Sequence, residues 1–334
     1  MTAANDIAIV IVNYNVRDLL RRCLQTLFAS HGVTFQVCVV DNNSPDDSVA
    51  MVQTEFPQVQ LIANTENVGY PAANNQGLRA LGVSGRDERG IRTDEAKASP
   101  RYALLLNPDT ELPPEGLATI VAYMDAQPDI GVIGPKLVLP NGQLDLACRR
   151  AFPTPIVSFY RMVGLSRLFP RSPRFGRYNM TFLDEDEIAE VDSVVGAFMM
   201  TRVTAVQQAG LMDDQFWMYG EDLDWAKRIK DAGWRVVYYP EVTVLHVKRA
   251  SSRQNPRAQV EFYRAMLIFY YKHYYRQTGW LLHLLVILGI ALKGGPAVWP
   301  DVRAGVTILR HHRYAAPPTN EQIVLVQDTT NHED

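Results

Sequence analysis

Apolar positions fall in short blocks through the first 140 residues, and their spacing alternates between strand and helix periods. Ile7 to Val12 is a compact Ile/Val run, the pattern of a strand covered on both faces. From Arg17 to Ala29, Leu19, Leu20, Cys23, Leu24, Leu27 and Phe28 recur at helical spacing with arginines between them. Phe35 to Val40 predicts a second strand ending at Asp41, and Val59 to Ala63 a third. Tyr102 to Leu106 predicts a fourth, which ends in Asn107-Pro108-Asp109. Ser48 to Phe56 and Pro71 to Leu81 read as the helices between them. Strands separated by helix-length segments predict an α/β fold, a mostly parallel sheet flanked by helices. Ligands of such sheets gather beyond the carboxyl ends of the strands, which makes Asn13, Asn15, Asp41, Asn42 and Asp109 the first candidates.

The rhythm then changes. Residues 84–100 mix both charge signs with almost no large apolar side chain and read as a mobile surface insertion. Further on, Gly131 to Val138 and Val191 to Thr201 predict strands, the second with a glycine inside. Val203 to Ala209 and Glu221 to Ala232 predict helices, and Arg235 to Tyr239 a strand that runs into Pro240. Phe262 to Tyr275 interleaves Tyr and Phe with Arg264, Lys272 and His273, and the apolar run Trp280 to Leu292 follows, closed by Lys293. That run is shorter than the ~20 apolar residues a spanning helix needs. Its aromatic and basic flanks favour a helix lying in a membrane interface over a core helix of the same length. The expected organisation is a catalytic domain over 1–255, a helical extension over 256–315 and a weakly ordered tail over 316–334.

Composition narrows the class. The 334 residues are 47% hydrophobic and 21% charged, with a formal net charge of −3, so nothing global suggests a nucleic-acid partner. Cys23, Cys38 and Cys148 are too scattered for a disulfide framework, which fits a reducing compartment. The N-terminus has neither the basic segment nor the long apolar core of a signal peptide.

Four local patterns carry chemistry. Val40-Asp41-Asn42-Asn43-Ser44 delivers a carboxylate to the sheet edge, where it can hold a pyrimidine N–H or ribose hydroxyls or form a turn. Asn67-Val68-Gly69-Tyr70, followed by Asn74, offers a glycine for close backbone approach and a helix N-terminus, or a simple capped loop. Leu104-Leu105-Leu106 drives a strand into the core that emerges at Asn107-Pro108-Asp109, and a carboxylate there suits a divalent cation bridging two phosphates. Trp217, Tyr219, Glu221, Asp222 and Asp224 place three carboxylates among aromatics at a helix start, a general base within an acceptor platform. His246 ends a Val-Thr-Val-Leu strand and could complete a metal site begun by Asp109, while Arg249 and Arg253 follow where cations could meet a diphosphate.

With these motifs in this order over residues 6–250, the sequence resembles a family-2 inverting glycosyltransferase of the GT-A fold, a Rossmann-like nucleotide-binding architecture. In detail it is similar to bacterial rhamnosyltransferases that act on polyprenyl-diphosphate-linked sugars. The resemblance implies a dTDP- or UDP-sugar donor, with rhamnose the best single choice. The implied acceptor is of the GlcNAc-diphosphoryl-polyprenol kind, and the process is cell-wall or surface-polysaccharide assembly.

Carried over residue by residue, Asp41 holds base or ribose with Asn13, Asn15 and Asn42 beside it. Asn67, Gly69, Asn74 and Asn107 complete the nucleotide-sugar site. Asp109 and His246 contact Mg2+ or Mn2+, and Trp217, Tyr219, Arg249 and Arg253 meet acceptor or phosphate. Asp222 or Glu221 takes the acceptor proton, and Asp224 orients. Asn107 stands where the family often has a first Asp, leaving Asp109 as the sure carboxylate ligand. A lipid-linked acceptor implies peripheral attachment to the cytoplasmic face of the bacterial inner membrane through residues 262–293, and a homodimer is compatible with it.

Three other classes are open to test. A nucleotidyltransferase would carry a Gly-rich basic phosphate loop after the first strand, where Asn13-Tyr14-Asn15-Val16-Arg17 stands instead. A dehydrogenase would carry G-x-G-x-x-G. A non-catalytic sugar-binding module on the same scaffold has no need of Asp41, Asp109 and Asp222 together.

Overall fold

Ile7–Asn13 forms the first strand, β1, and every one of its seven residues is buried. This is the outcome its unbroken Ile/Val pattern predicts, because both faces of the strand carry helices. A computed structural model describes residues 6–84, 99–248, 257–308 and 324–325. The predicted insertion at 84–100 (Ser84 and residues 99–100 apart), Arg249 and Arg253, and most of the tail lie outside the described residues.

After β1 come α1 (Arg17–Phe28), β2 (Phe35–Asp41), α2 (Ser48–Glu55), β3 (Gln60–Ala63), α3 (Tyr70–Ala80) and β4 (Tyr102–Leu106). The middle of the chain gives β5 (Thr110–Glu111), α4 (Gly116–Ala126), β6 (Ile130–Val138), α5 (Pro155–Met162), α6 (Leu165–Leu168), β7 (Ala189–Glu190) and β8 (Phe198–Arg202). Then follow α7 (Val203–Ala209), α8 (Glu221–Asp231), β9 (Arg235–His246), α9 (Ala258–His273), α10 (Trp280–Gly294), α11 (Trp299–Ala304) and β10 (Val324–Leu325).

The strands make one sheet in the order β10-β3-β2-β1-β4-β8-β6-β9-β5, with β7 on β9. β3, β2, β1 and β4 run parallel, so the carboxyl ends of β1 and β2 open at one edge with Asn13 opposite Asp41. β8 runs against both β4 and β6, while β6 and β9 are parallel to each other. The fold is therefore mixed α/β with a mostly parallel sheet.

Three elements differ from the sequence expectation. The strand predicted over Val191 to Thr201 is strand only from Phe198, because the Gly196 N–H and C=O bond side chains from other elements instead of a ladder neighbour. Conversely, β9 does not stop at Pro240 but continues to His246, the proline falling where its register with β6 shifts between Pro135 and Lys136. A proline at such an irregularity removes no ladder bond, and this continuation carries His246 to the site. In the expected tail, Val324 and Leu325 pair antiparallel with Ile62 and Ala63 of β3.

A second apolar cluster joins Phe216 and Leu223 to Ala265, Ile268 and Phe269 of α9 and Ile290 of α10. The aromatic stretch is thus packed on the sheet domain. Only one side of α10 is packed: Ile290 is buried, but Trp280 is 75% exposed and Leu292 74%. No helix among the described residues is long and apolar enough to cross a membrane.

Candidate active site

Parallel β1 and β2 set Asn13 beside Asp41 at the sheet edge, both almost wholly out of solvent. Asp41 Oδ2 accepts from Asn13 Nδ2 at 2.7 Å and from Ser44 Oγ at 2.6 Å, and Oδ1 accepts from the Ser44 N–H at 2.8 Å. The Asn15 N–H donates to the same Ser44 hydroxyl at 2.9 Å. Asn15 and Asn43 both hold positive φ, a conformation asparagine tolerates, so the two strand-end turns fold against each other. Asn42 donates to the Gly69 carbonyl at 3.2 Å and accepts from Asn64 at 2.9 Å.

Gly69 differs from expectation in what it approaches. At φ +87° its backbone lies against the Trp217 carbonyl, and a Cβ there would stand 2.6 Å from that oxygen. The next N–H, of Tyr70, donates to that carbonyl at 2.8 Å. The glycine lets one loop clasp another, joining the Asn67–Asn74 motif to the Trp217–Asp224 motif. Asn67 Oδ1 accepts the Gly69 N–H at 3.0 Å and Asn74 Nδ2 donates to the Tyr70 carbonyl at 2.9 Å, so both brace this turn.

Tyr70 then bridges the centre. Its hydroxyl lies 3.0 Å from the Gly196 carbonyl and 3.3 Å from Asn107 Oδ1. Burial, reinforced by the charges of Glu221, Asp222 and Asp109, pushes this phenol well above its ordinary range. One tyrosine thus has the three acids of the expected reaction around it. Sequence patterning includes Tyr70 in the Asn67–Asn74 motif without a role, because an aromatic at a helix start reads as core.

Asp109, beyond β4, meets the end of β9. His246 Nε2 is 3.5 Å from Asp109 Oδ1, and its Nδ1 is 2.9 Å from Oδ2 of Asp145. All three side chains are nearly inaccessible. Burial lowers the imidazole, but the two carboxylates outweigh it and raise His246 to about 9. Burial raises Asp145 in turn, and His246 and Lys248 overcome that and hold it well below the usual carboxylate range. Asp145 lies in a turn without periodic signal, so sequence patterning missed it.

The third group opens α8. Tyr219 (φ +70°) and Gly220 (φ +78°) are successive left-handed residues, a sharp turn that sets Glu221 and Asp222 at the helix start. Asp222 Oδ2 accepts from Arg150 Nη2 at 2.6 Å and the Gly196 N–H at 3.0 Å, and Oδ1 accepts the Leu223 N–H at 2.7 Å. Arg150 is a further residue that sequence reasoning missed, 72 positions away and in no motif. Burial, with the neighbouring Asp222 charge, pushes Glu221 well above the usual carboxylate range. Its Oε2, with Asn13 Oδ1 and Asn74 Oδ1, is buried without a hydrogen-bond partner among the described residues.

Asp224 departs from its expected role. Its side chain is fully buried and held at 2.8 Å each by Arg228, Lys272 and His273. Burial raises the carboxyl, yet Arg228, His273 and Lys272 overcome it and hold it far below its ordinary value. It ties α8 to α9 and offers no oxygen to solvent. The Trp217 ring lies under the Arg257 guanidinium at 4.5 Å, and Tyr219 meets Phe262 edge-on at 5.8 Å.

Residues 4–260 match the family described as "Glycosyltransferase like family 2". The chain is 27% identical over 272 residues to the N-acetylglucosaminyl-diphospho-decaprenol L-rhamnosyltransferase of Mycobacterium tuberculosis, covering 81% of this chain and 85% of that protein. It is 25% identical over 255 residues to the rhamnosyltransferase WbbL of Escherichia coli, covering 73% and 84%. Among solved structures, the mannosyltransferase PcManGT of Pyrobaculum calidifontis, in complex with GDP-Man and Mn2+, superposes with a TM-score of 0.52 at 15% identity. That superposition covers 91% of this chain and 77% of the other.

Proposed function

The chain belongs to glycosyltransferase family 2, and from that membership we propose that it transfers L-rhamnose from dTDP-rhamnose, with inversion, to a GlcNAc-diphosphoryl-polyprenol acceptor. It would do so peripherally, at the cytoplasmic face of a bacterial inner membrane. The donor and acceptor rest on likeness to the mycobacterial and E. coli rhamnosyltransferases. The catalytic assignment rests on one observation: the Tyr70 hydroxyl sits between Asn107 Oδ1 and the Gly196 carbonyl, and the Gly196 N–H donates to Asp222, so the Asn107–Asp109 turn and Asp222 face one centre.

Asp41, with Asn13, Asn15 and Asn42, would bind the nucleoside, using the unpaired Asn13 oxygen. Asp109 and His246 would hold Mg2+ or Mn2+, which neutralises the charge growing on the departing diphosphate. The Asp109 carboxylate suits such a cation, and the His246 imidazole does so once the cation displaces the proton that Asp109 and Asp145 favour on it. No group of three or more Asp, Glu, His or Cys side chains among the described residues is arranged to hold a metal ion, so diphosphate oxygens and water would complete the shell. Arg249 and Arg253 follow His246 in sequence and would meet the same diphosphate.

Asp222 would be the base. Arg150 and two backbone N–H groups are arranged around its carboxylate, and Oδ1, which accepts only the Leu223 N–H among the described residues, has a lone pair left for the acceptor hydroxyl. The acceptor oxygen attacks the anomeric carbon and its proton passes to Asp222. The bond to the diphosphate breaks with its electron pair leaving on the nucleotide. Glu221, kept protonated by burial, donates to the acceptor instead of competing as base. Trp217 and Tyr219 would offer ring faces to the acceptor sugar.

The test is nucleoside diphosphate release from a panel of nucleotide sugars, with and without a GlcNAc-diphosphoryl-lipid acceptor, before and after chelation. Acceptor-dependent release from dTDP-rhamnose, lost with chelator and in Asp222→Asn, is the expected result. Turnover of a UDP-sugar alone would remove rhamnose and keep the mechanism. Binding of donors without any release would overturn the catalytic reading.

A further inference from the structure

Between Asp145 and Asp184 the sequence contains no acidic residue, yet arginines stand at 149, 150, 161, 167, 171, 174 and 177. Arg149 and Arg150 turn inward, to the carbonyls of Leu183 and Asp184 and to Asp222. The other five are exposed, and none forms an ion pair among the described residues. Arg161 lies over the Tyr178 ring at 4.2 Å and Arg174 donates to the Tyr160 hydroxyl at 2.9 Å, so the segment holds its guanidiniums outward by its own aromatics. Between them the chain exposes Ile156, Val163, Phe169 and Leu168, the last to 69%.

This segment abuts the open face of α10. Gly289 of α10 lies so close to Met162 of α5 that a Cβ on it would stand 2.8 Å from the sulfur. Beyond that contact α10 exposes Leu281, Leu284, Leu288 and Leu292, spaced at helical repeats, and it contains no acidic residue. Exposed leucines and aromatics edged by arginines, with no acidic residue in either segment, complement a bilayer interface carrying anionic phosphate headgroups.

We propose that α5, α6 and the arginine-rich turn up to Arg177 form an anionic-lipid-binding element, which together with the apolar face of α10 seats the enzyme on a phospholipid bilayer. It rests on the peripheral attachment proposed above and adds the electrostatic half, contributed by a segment distant in sequence from residues 262–293. The guanidiniums pair with lipid phosphates while Leu168 and Phe169 enter the acyl boundary beside α10.

Co-sedimentation of the full chain with vesicles of phosphatidylcholine, alone or mixed with phosphatidylglycerol, tests it. Two variants are compared with wild type: Arg167→Gln/Arg171→Gln/Arg177→Gln, and Leu284→Gln/Leu288→Gln. Thermal melts and turnover of a short-chain soluble acceptor check folding.

Wild type should prefer the anionic vesicles, in a salt-sensitive way. The arginine variant should lose roughly a hundredfold in partitioning to anionic vesicles, at roughly fivefold per guanidinium, and little to neutral ones. The leucine variant should weaken on both. An arginine variant that sediments like wild type overturns the proposal while leaving attachment through α10 intact. A leucine variant unchanged beside a failing arginine variant upholds the arginine element and overturns the part assigned to α10. Wild type that ignores both vesicles but self-associates would overturn the proposal and make the face an interface between copies.

Discussion

His246 Nδ1 stands 2.9 Å from Asp145 Oδ2, and that bond fixes which ring nitrogen turns toward Asp109. A carboxylate behind an imidazole sets its tautomer and orientation, so the partner is felt by whatever the other nitrogen binds. Asp145→Asn should therefore weaken Mn2+ binding by about 10- to 100-fold while leaving nucleotide affinity measured with EDTA unchanged. Titration calorimetry with Mn2+ reads this. Equal Mn2+ affinity in the variant would reduce Asp145 to a packing role.

Asp222 and Glu221 differ by one position and should differ sharply in kinetics. Asp222→Asn should lower kcat by about 10²- to 10⁴-fold with donor binding retained. Glu221→Gln keeps a hydrogen-bond donor and should change KM for acceptor more than kcat. The reverse ranking in single-turnover assays would move the base to Glu221.

Glu221 also makes a pH prediction. Its folded value is raised, so between the ordinary glutamate range near pH 4.5 and its higher folded value the native state holds a proton that the unfolded chain has lost. Stability must fall as pH rises through that window. Glu221→Gln removes the effect and should raise the melting temperature at pH 8 relative to wild type, with little change at pH 5. Parallel melting curves at both pH values would show that Glu221 is not buried as a neutral acid.

Asp224 has the opposite sign. Its folded value is depressed, so its contribution is present above the ordinary aspartate range and fades as pH falls below about 4. Asp224→Asn leaves Arg228, Lys272 and His273 around a neutral group and should cost about 3–5 kcal/mol in urea unfolding. Proteolysis should then cut near α9 first, because that helix loses its polar tie to α8. Unchanged stability would show that the second apolar cluster alone holds the extension.

Gly69→Ala should cost about 1–3 kcal/mol from backbone strain alone, since φ +87° disfavours any side chain. The Trp217 carbonyl, 2.6 Å from the new carbon, must also shift, so acceptor KM should rise even in protein that folds. An unaltered KM would separate this clasp from the acceptor platform.

Much of this was written in local pattern. The Ile/Val and Leu runs of β1, β2 and β4 specify buried strands by composition alone, and a strand must end in polar residues where it leaves the core. That is why the sequence alone places Asn13, Asp41 and Asp109 at strand ends along the sheet edge. Helix periodicity likewise placed α1, α3 and α8 within a few residues.

Pairings between distant segments were not legible. Arg150 to Asp222, Asp145 to His246, and Gly69 against Trp217 join positions that no periodicity links, and each exists only because the sheet order brings its loops to one edge. For the same reason the sequence groups Asp224 with Asp222 at one helix start. Adjacent residues on a helix point in different directions, and only packing against α9 decided that Asp224 faces three cations while Asp222 stands with Gly196 and Arg150. Local sequence sets which groups leave the core; the direction each one then faces is a property of the neighbours that fold against it.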